Sequence, residues 1–139
     1  KSYKKRIMAD TVTILSTSTH TAGTQTLQSE KVKGDAYVGQ TDGLHTIAVD
    51  LNDFIGQIVI QGSLETTPGD NDWFDIQLSD GEFAVDVSGK ITSVSVESLV
   101  YINAETSRKA YNATGNFVWL RANITNWTAG TITSIEMNH

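Results

Sequence analysis

The sequence predicts an all-β protein: an antiparallel two-sheet β-sandwich of jelly-roll type, with about ten short strands and little or no helix. First, threonine and serine make up 30 of the 139 residues, and valine and isoleucine are frequent. β-Branched residues pack well on pleated sheets and lose side-chain freedom in helices. Second, short alternating segments recur roughly every 8–12 residues with turn signals between them. Third, no segment keeps the 3.6-residue period of a helix over a useful length. A closed barrel is the alternative architecture.

The strongest strand signal lies in residues 54–78, which we interpret as two strands joined by an acidic turn. Apolar residues occupy alternate positions over residues 54–64, as in a strand with one buried face. Residues 66–72 supply turn-forming side chains and the only proline of the chain. Residues 73–78 are then the return strand of a hairpin.

Several weaker strands precede this hairpin. In the segment 45–51, Ile47, Val49 and Leu51 share one face, and Asn52-Asp53 leads into the next strand. Thr41-Asp42-Gly43 is a hairpin turn signal. The strands predicted in this half are residues 12–15, 25–33 as an edge strand, 36–40 and 45–51.

The second half of the chain continues the same alternation of strands and turns. Leu120, Ala122 and Ile124 share one face of a strand, whereas Trp119 and Arg121 lie on the other. Residues 104–112 have no clear apolar stripe and are predicted to be a loop. The predicted strands are residues 83–87, 91–96, 99–103, 117–124 and 131–137, with turns at 79–82, 89–90 and 126–130.

Length, charge and cysteine content narrow the class of protein. A chain of 139 residues fits a single domain, which we place at residues 10–139 after a basic N-terminal tail at residues 1–9. The absence of cysteine excludes a disulfide framework and a thiolate zinc site, and it favours folding in the cytoplasm. A net charge of −6 argues against general nucleic-acid binding. No apolar run is long enough to predict a membrane span, and no apolar region predicts a signal peptide.

The acidic turn offers a weak candidate for a calcium site. Asp70, Asp72 and Asp75 are closely spaced, and oxygen ligands on a loop can hold this ion. However, the spacing lacks the glycine and the terminal glutamate of an EF-hand loop. We therefore favour the interpretation that these side chains cap the turn by bonding its backbone.

The three tryptophans are the candidate binding or interface residues. If Trp73, Trp119 and Trp127 are exposed, they form a flat surface on which sugars can stack, and Arg121 can lie against one of the rings. The competing interpretation is that they fill a core or a subunit interface, since one indole buries a large area.

No pattern in the sequence predicts catalysis. His20, His45 and His139 are scattered, without the spacing of a transition-metal site. Nucleophile-elbow, phosphate-loop and dinucleotide motifs are absent. The sequence therefore predicts a protein that is not an enzyme and needs no cofactor.

Two stretches carry a distinctive pattern of strands and turns. One reads GQIVIQGSL at residues 56–64 and continues with Pro68 and Asp72-Trp73-Phe74. The other reads TGNFVWLRA at residues 114–122 and continues with GTI at 130–132 and IEMNH at 135–139. Together they resemble a β-sandwich domain of virion structural proteins in tailed bacteriophages. Such domains occur in tail-fibre, neck and capsid-associated proteins, particularly of marine myovirus-like phages.

The resemblance covers about the last 85 residues. It implies a non-enzymatic virion component, a capsid decoration, neck or tail-associated protein, assembled in the bacterial host cytoplasm. It further implies packing against other virion proteins and a homo-oligomer, either a trimer or a ring. In such a particle the basic side chains of the tail, Lys1, Lys4, Lys5 and Arg6, would anchor the chain to an acidic surface.

Two other classes remain open. A carbohydrate-binding module on the same sandwich would use exposed tryptophans to bind a surface glycan of the host. A small hydrolase would need two carboxylates converging in a cleft, which sequence alone does not reveal.

Overall fold

The protein is an all-β molecule, as the sequence predicts, and its strands are connected in one antiparallel sheet rather than in two separate ones. The structure, a computed structural model, describes residues 11–39 and 42–139, with all their side chains except those of residues 81–83 and 92–94. No helix occurs in these ranges. The strands are β1 (Thr11–Leu15), β2 (Ser18–Thr19), β3 (Gln25–Gln28), β4 (Val32–Lys33), β5 (Leu44–Ser63), β6 (Phe74–Asp75), β7 (Leu78–Val85), β8 (Ile91–Val96), β9 (Leu99–Thr114) and β10 (Trp119–Asn138).

Three long strands organise the sheet. β10 pairs with β5 along its length, from Trp119 opposite Ser63 to Asn138 opposite Thr46. On the other side of β5 lies β9. On the other side of β10, the chain from β1 to β4 runs past as an interrupted strand. The sheet is therefore built from four antiparallel passes of the chain, to which β6 and the hairpin β7–β8 are added.

The two 20-residue strands have to bend. Straight, each would measure roughly 66 Å, whereas a compact chain of this length has a radius of gyration of roughly 14 Å. β5 and β10 bend where the backbone turns left-handed, at Asp53 (φ 52°) and at Asn126 (φ 51°) and Gly130 (φ 88°). Their pairing shifts register at these places, which marks β-bulges.

The bulge in β5 keeps one face of the strand turned to the core. Before it, Ile47, Val49 and Leu51 are buried, and after it the buried positions are Phe54, Ile58 and Ile60. The buried positions change from odd to even residue numbers, which shows that the bulge inserts one extra residue into β5. Without that residue the second half would turn its apolar side outwards.

The bend brings the two ends of β10 together. Phe117, just before β10, and His139, just after it, both lie against His45, with ring centroids 5.5 and 5.8 Å apart. The turn at residues 35–39 joins this meeting point, since the Ala36 amide donates to the Phe117 carbonyl at 3.0 Å. We call this junction the seam.

One hydrophobic core lies inside the bent sheet, consistent with a sandwich-like fold. Both halves of β5 and of β10 contribute to the same cluster. The largest side chains that are fully buried in it are Trp127, Phe54, Ile47, Leu51, Ile58, Ile60, Leu78, Leu120, Ile124, Ile132, Ile135 and Met137.

The hairpin β7–β8 departs from this body. Leu78 at its base is buried, but beyond Ser79 every hairpin side chain that the structure describes is exposed. Among the described pairings, Ser79 is the one hairpin residue that pairs with β9, opposite Asn112. The hairpin therefore projects from the sheet, with Val85 and Ile91 each 65% exposed and Val87 fully exposed.

Several predicted boundaries are wrong because bulges resemble turns in sequence. The predicted strands 45–51 and 54–64 are joined in one strand, β5, which ends at Ser63, and the predicted strands 117–124 and 131–137 are joined in one strand, β10, which begins at Trp119. The predicted turn at 79–82 lies within β7. The predicted loop at 104–112 is part of β9, and the described part of the predicted strand 36–40 is a turn. The tail at residues 1–9 and the turn residue Thr41 lie outside the described residues.

We predict that Gly130→Ala destabilises the protein by at least about 2 kcal/mol, measured by urea denaturation. A Cβ at this position would lie 2.1 Å from the Asp53 carbonyl oxygen, where bent β5 and β10 approach each other. The matched control is Gly89→Ala, which has a similar φ of 85° and no atom within 4 Å of the new Cβ. It should lose only about 1–2 kcal/mol from backbone strain. Equal losses in the two variants would contradict a close approach at Gly130.

Candidate functional site

Three of the residues singled out in the sequence lie together on the outward face of β10. Trp119 and Arg121 point outwards from the start of β10 and are half-buried, as the alternation predicts. Trp73 reaches this face from the loop that precedes β6. We call the surface formed by Trp73, Trp119 and Arg121 the tryptophan face.

Arg121 lies against Trp73. Its guanidinium carbon is 4.0 Å from the ring centroid, a cation–π contact. Its Nε donates to the Gln61 side chain at 2.9 Å, and Gln28, oriented with its oxygen inwards, accepts from the same group. Burial lowers the pKa of Arg121 below its ordinary value, and the charge of Asp70 opposes this shift. Arg121 is therefore held in place by the ring against the planar face of its guanidinium and by the acceptors that bond its N–H groups.

Trp119 is held as firmly on the other side of the tryptophan face. Its indole N–H donates to the Thr66 carbonyl at 2.9 Å, which also ties down the loop after β5. Tyr37 packs beside it with ring centroids 4.8 Å apart, and the Lys31 ammonium lies 4.9 Å from the Trp119 ring centroid. Cations thus alternate with aromatic rings across this surface.

A cleft of about 340 Å³ opens beside Trp119 at the seam. Three valines form its apolar part, and Lys31, Lys33 and His139 form its polar part. A smaller hollow of about 180 Å³ adjoins it, lined in part by Lys31, Trp73 and Arg121. Lys31 borders both and so connects them.

Trp127 does not belong to this surface, which corrects the assignment of all three tryptophans to an exposed platform. It is 1% exposed and packs against Phe54 with ring centroids 5.9 Å apart. Its indole N–H donates to the Ala129 carbonyl at 3.0 Å. The bulge at Asn126 turns this side chain inwards, and Trp127 is a core residue.

Asp70, Asp72 and Asp75 are exposed, and their described contacts are with different groups. Asp72 accepts from the Gly69 amide at 2.7 Å, closing the turn, and Asp75 accepts from the Gln61 side chain at 3.1 Å. Asp70 lines the smaller hollow. Among the described residues, no three acidic, histidine or cysteine side chains are grouped so that they could hold a metal ion. The basic side chains of the tail, Lys1, Lys4, Lys5 and Arg6, lie outside the described residues.

Sequence reasoning missed a buried cluster at the seam. The Asp35 carboxylate is fully buried and accepts from the Gly43 amide at 2.8 Å and from His139 Nδ1 at 3.2 Å. The Asp35 amide donates to His45 Nε2 at 3.2 Å, so this nitrogen carries no proton. His45 Nδ1 then donates to the Gly43 carbonyl at 3.1 Å. His45 and His139 lie 10 and 104 positions after Asp35 in the chain. The three residues therefore form no local motif that sequence reasoning could have found.

This cluster is suited to holding the fold rather than to acid–base catalysis. A buried carboxylate is tolerated when hydrogen bonds satisfy it, and both of its oxygens are satisfied here. Both rings are occupied by internal partners.

The described part of the chain also contains no helix able to cross a bilayer.

No protein-family model, curated protein or solved structure matches the chain. The site is therefore interpreted from its own geometry: an aromatic and cationic surface beside a rigid seam.

We predict that the protein loses stability as the pH falls below about 6.5, the ordinary pKa of histidine. Burial lowers the pKa of His45, more than the neighbouring Asp35 charge raises it. The unfolded chain then binds a proton on His45 at a higher pH than the folded protein does. The stability contributed by neutral His45 is complete above the unfolded pKa and is lost as the pH falls through the folded pKa, at no more than about 1.4 kcal/mol per pH unit.

The measurement is urea denaturation of the wild type and of His45→Gln between pH 7.5 and 5. Glutamine does not titrate, yet its side-chain oxygen can still accept a bond from the Asp35 amide. The variant should depend less on pH than the wild type over this interval. Parallel curves for the two proteins would contradict the role assigned to His45.

Proposed function

We propose that the chain is a non-enzymatic structural component of a bacteriophage particle, acting through protein–protein assembly. The observation that carries this proposal is the projecting hairpin β7–β8 with its exposed Val85, Val87 and Ile91. Contiguous exposed apolar residues mark interaction surfaces, and a lone two-stranded hairpin is marginally stable in water. Such an arm gains stability by packing on another chain.

β9 offers a matching surface on the same chain. Val100 and Ile102 on β9 are 58% and 81% exposed, and both line a shallow groove of about 310 Å³ with Ile55. The edge of β9 away from β5 pairs with β7 at one described position only. Exposed strand edges readily add a further strand. Each copy thus carries both the projecting apolar hairpin and an apolar groove that could receive it.

Charge also favours a second copy as the partner. The hairpin is acidic on balance and carries Asp86 near its tip, whereas β9 carries Arg108 and Lys109, whose exposed side chains also pair with Asp50 and Glu105 of their own chain. The hairpin of one copy would therefore meet β9 of the next with opposite charges. A head-to-tail contact of this kind generates a ring when the rotation closes, in keeping with the expected trimer or ring.

The phage assignment is supported by the resemblance of residues 56–64 and 114–122, which form adjoining parts of β5 and β10. Gly62 of the first stretch is paired with Leu120 of the second. A Cβ on Gly62 would lie 2.9 Å from Phe117, so this residue serves close packing. The residues that carry the resemblance thus have architectural roles, as expected for a particle component. In that particle the tail residues Lys1, Lys4, Lys5 and Arg6 would contact an acidic surface.

A second candidate function is glycan binding, favoured by one specific observation. Trp119 is held rigidly at the side of an open cleft, and Trp73 and Arg121 border the adjoining hollow. A surface domain that both assembles and contacts a host glycan would combine the two functions.

We predict that the double variant Val87→Asp/Ile91→Asp converts the oligomer to a monomer, measured by light scattering after size exclusion. Both side chains are exposed, so each chain should stay folded, shown by an unchanged far-UV circular dichroism spectrum. Leu64→Asp is the matched control, because Leu64 is a similarly exposed apolar residue in the loop after β5. An oligomer that survives in the double variant would contradict assembly through the hairpin.

The particle role itself is tested by location. Intact phage particles should contain the chain, as density in an electron-microscopy map into which the bent sheet fits and as peptides in the purified particles. Its absence from purified particles would contradict the proposed function.

A further inference from the structure

The cleft at the seam has a charge opposite to that of the whole chain. The protein carries a net charge of −6, yet the charged or titratable side chains lining this cleft are Lys31, Lys33 and His139. None of the described residues that line it is acidic. The Asp35 carboxylate, which bonds the lining residue His139, is fully buried. The cleft is therefore a local site for an anion.

Each of the two lysines contacts an aromatic ring, and no described carboxylate neutralises its charge. Lys31 lies over Trp119 at 4.9 Å and Lys33 lies over Tyr37 at 4.7 Å, measured to the ring centroids. Neither takes part in an ion pair within the described ranges. Lys31 directly precedes β4 and Lys33 ends it, and both reach the same side of the sheet, because the rings that they contact pack against each other. An anion placed between them would relieve their mutual repulsion.

The walls of the cleft suit a ring with an apolar face. Trp119 is fixed by its bond to Thr66 and by Tyr37, so little side-chain freedom is lost when a ligand packs against it. Val12, Val32 and Val38 supply the remaining apolar surface. The volume of about 340 Å³ falls in the range of small-ligand sites.

These features together select the class of ligand. A nucleic acid needs a long basic surface, and the overall charge of the chain repels it. A neutral sugar would leave two lysines unused. A sugar ring with a carboxylate or sulfate group uses both the aromatic wall and the lysine pair.

We propose that the seam cleft binds an acidic saccharide, with the ring against Trp119 and Tyr37 and the anionic group between Lys31 and Lys33. A second, uncharged sugar unit would extend over Lys31 into the smaller hollow, which Trp73 and Arg121 line together with Glu30 and Asp70. This inference deepens the glycan-binding candidate, and it is independent of assembly through the hairpin.

The test is a calorimetric titration of the full chain with three acidic probes: trigalacturonate, 3′-sialyllactose and a sulfated chondroitin disaccharide. Methyl-esterified trigalacturonate and lactose serve as neutral counterparts, and inorganic phosphate as the bare anion. At least one acidic probe should bind about tenfold more tightly than its neutral counterpart. Binding of no acidic probe, equal affinity for a neutral counterpart, or equal affinity for phosphate would each overturn the proposal.

Variants locate the binding in the cleft. Lys31→Gln and Lys33→Gln should each weaken the acidic probe about tenfold and leave a neutral counterpart unaffected. Lys109→Gln, the same change of charge at an exposed position on β9, should have no effect. Tyr37→Leu tests the aromatic wall at an exposed position, so that the result does not depend on a Trp119 variant folding. Unchanged affinity in both Gln variants would overturn the proposal.

The Val87→Asp/Ile91→Asp variant separates this inference from the proposed function. It should bind the acidic probe as the wild type does, even where it no longer assembles. Loss of probe binding in this variant would show that the ligand site belongs to the assembled interface and would overturn the placement at the seam. If no probe binds, the saccharide proposal fails, whereas the test of the particle role, which locates the chain in phage particles, is unaffected.

Discussion

The closure of the bent sheet at Asp35 is the constraint on which the rest of the structure depends. A 20-residue strand can belong to a small domain only if it folds back, and then its two ends have to be joined. The Asp35 turn joins them: its backbone bonds the start of β10 at Phe117, and its carboxylate bonds His139 after the end. Leaving that buried carboxylate without partners would cost several kcal/mol, so the interactions hold or fail together.

The same closure creates the candidate binding site. Trp119 and His139 stand at opposite ends of β10, yet they line one cleft because the strand returns on itself. β4 and β1, which flank those two ends, bring Lys33 and Val12 to the same place. A flat sheet of the same strands would separate these residues by the length of β10. The cleft is thus a product of the bend, and a variant that opens the bulge should also lose the cleft.

The sequence predicts which faces of the strands are buried much better than where the strands end. Period-two alternation places Ile47, Leu120 and Ile124 in the core, and all three are buried. In contrast, Asn52-Asp53 and residues 126–130 were interpreted as strand junctions. Asn, Asp and Gly favour left-handed backbone in a turn and in a bulge alike, so local sequence does not separate the two. For the same reason the sequence predicts a turn around Trp127 and assigns this residue to neither face of a strand, whereas in the structure it is buried in the core.

The candidate site could be predicted only in part. The contact of Arg121 with a tryptophan ring follows from alternation and from the reach of the side chain. The Asp35 cluster and the cleft do not, because their members meet only when the ends of β10 close on each other. No spacing rule relates Asp35 to His139 across 104 positions. Long-range closure of this kind is a property of the bent sheet as a whole.

The strand order separates the two proposed activities. In the sequence of paired strands β1-β10-β5-β9-β7-β8, the hairpin stands at one end and the strands that flank the cleft stand at the other. In the described structure β8 pairs with neither β1 nor β4. Copies joined through the hairpin and β9 would therefore leave every cleft open. A ring of such copies would present several weak saccharide sites together, and linked sites bind a repeating surface far more tightly than one site alone. Assembly and glycan contact would then be coupled through valency, without any change of shape in the individual chain.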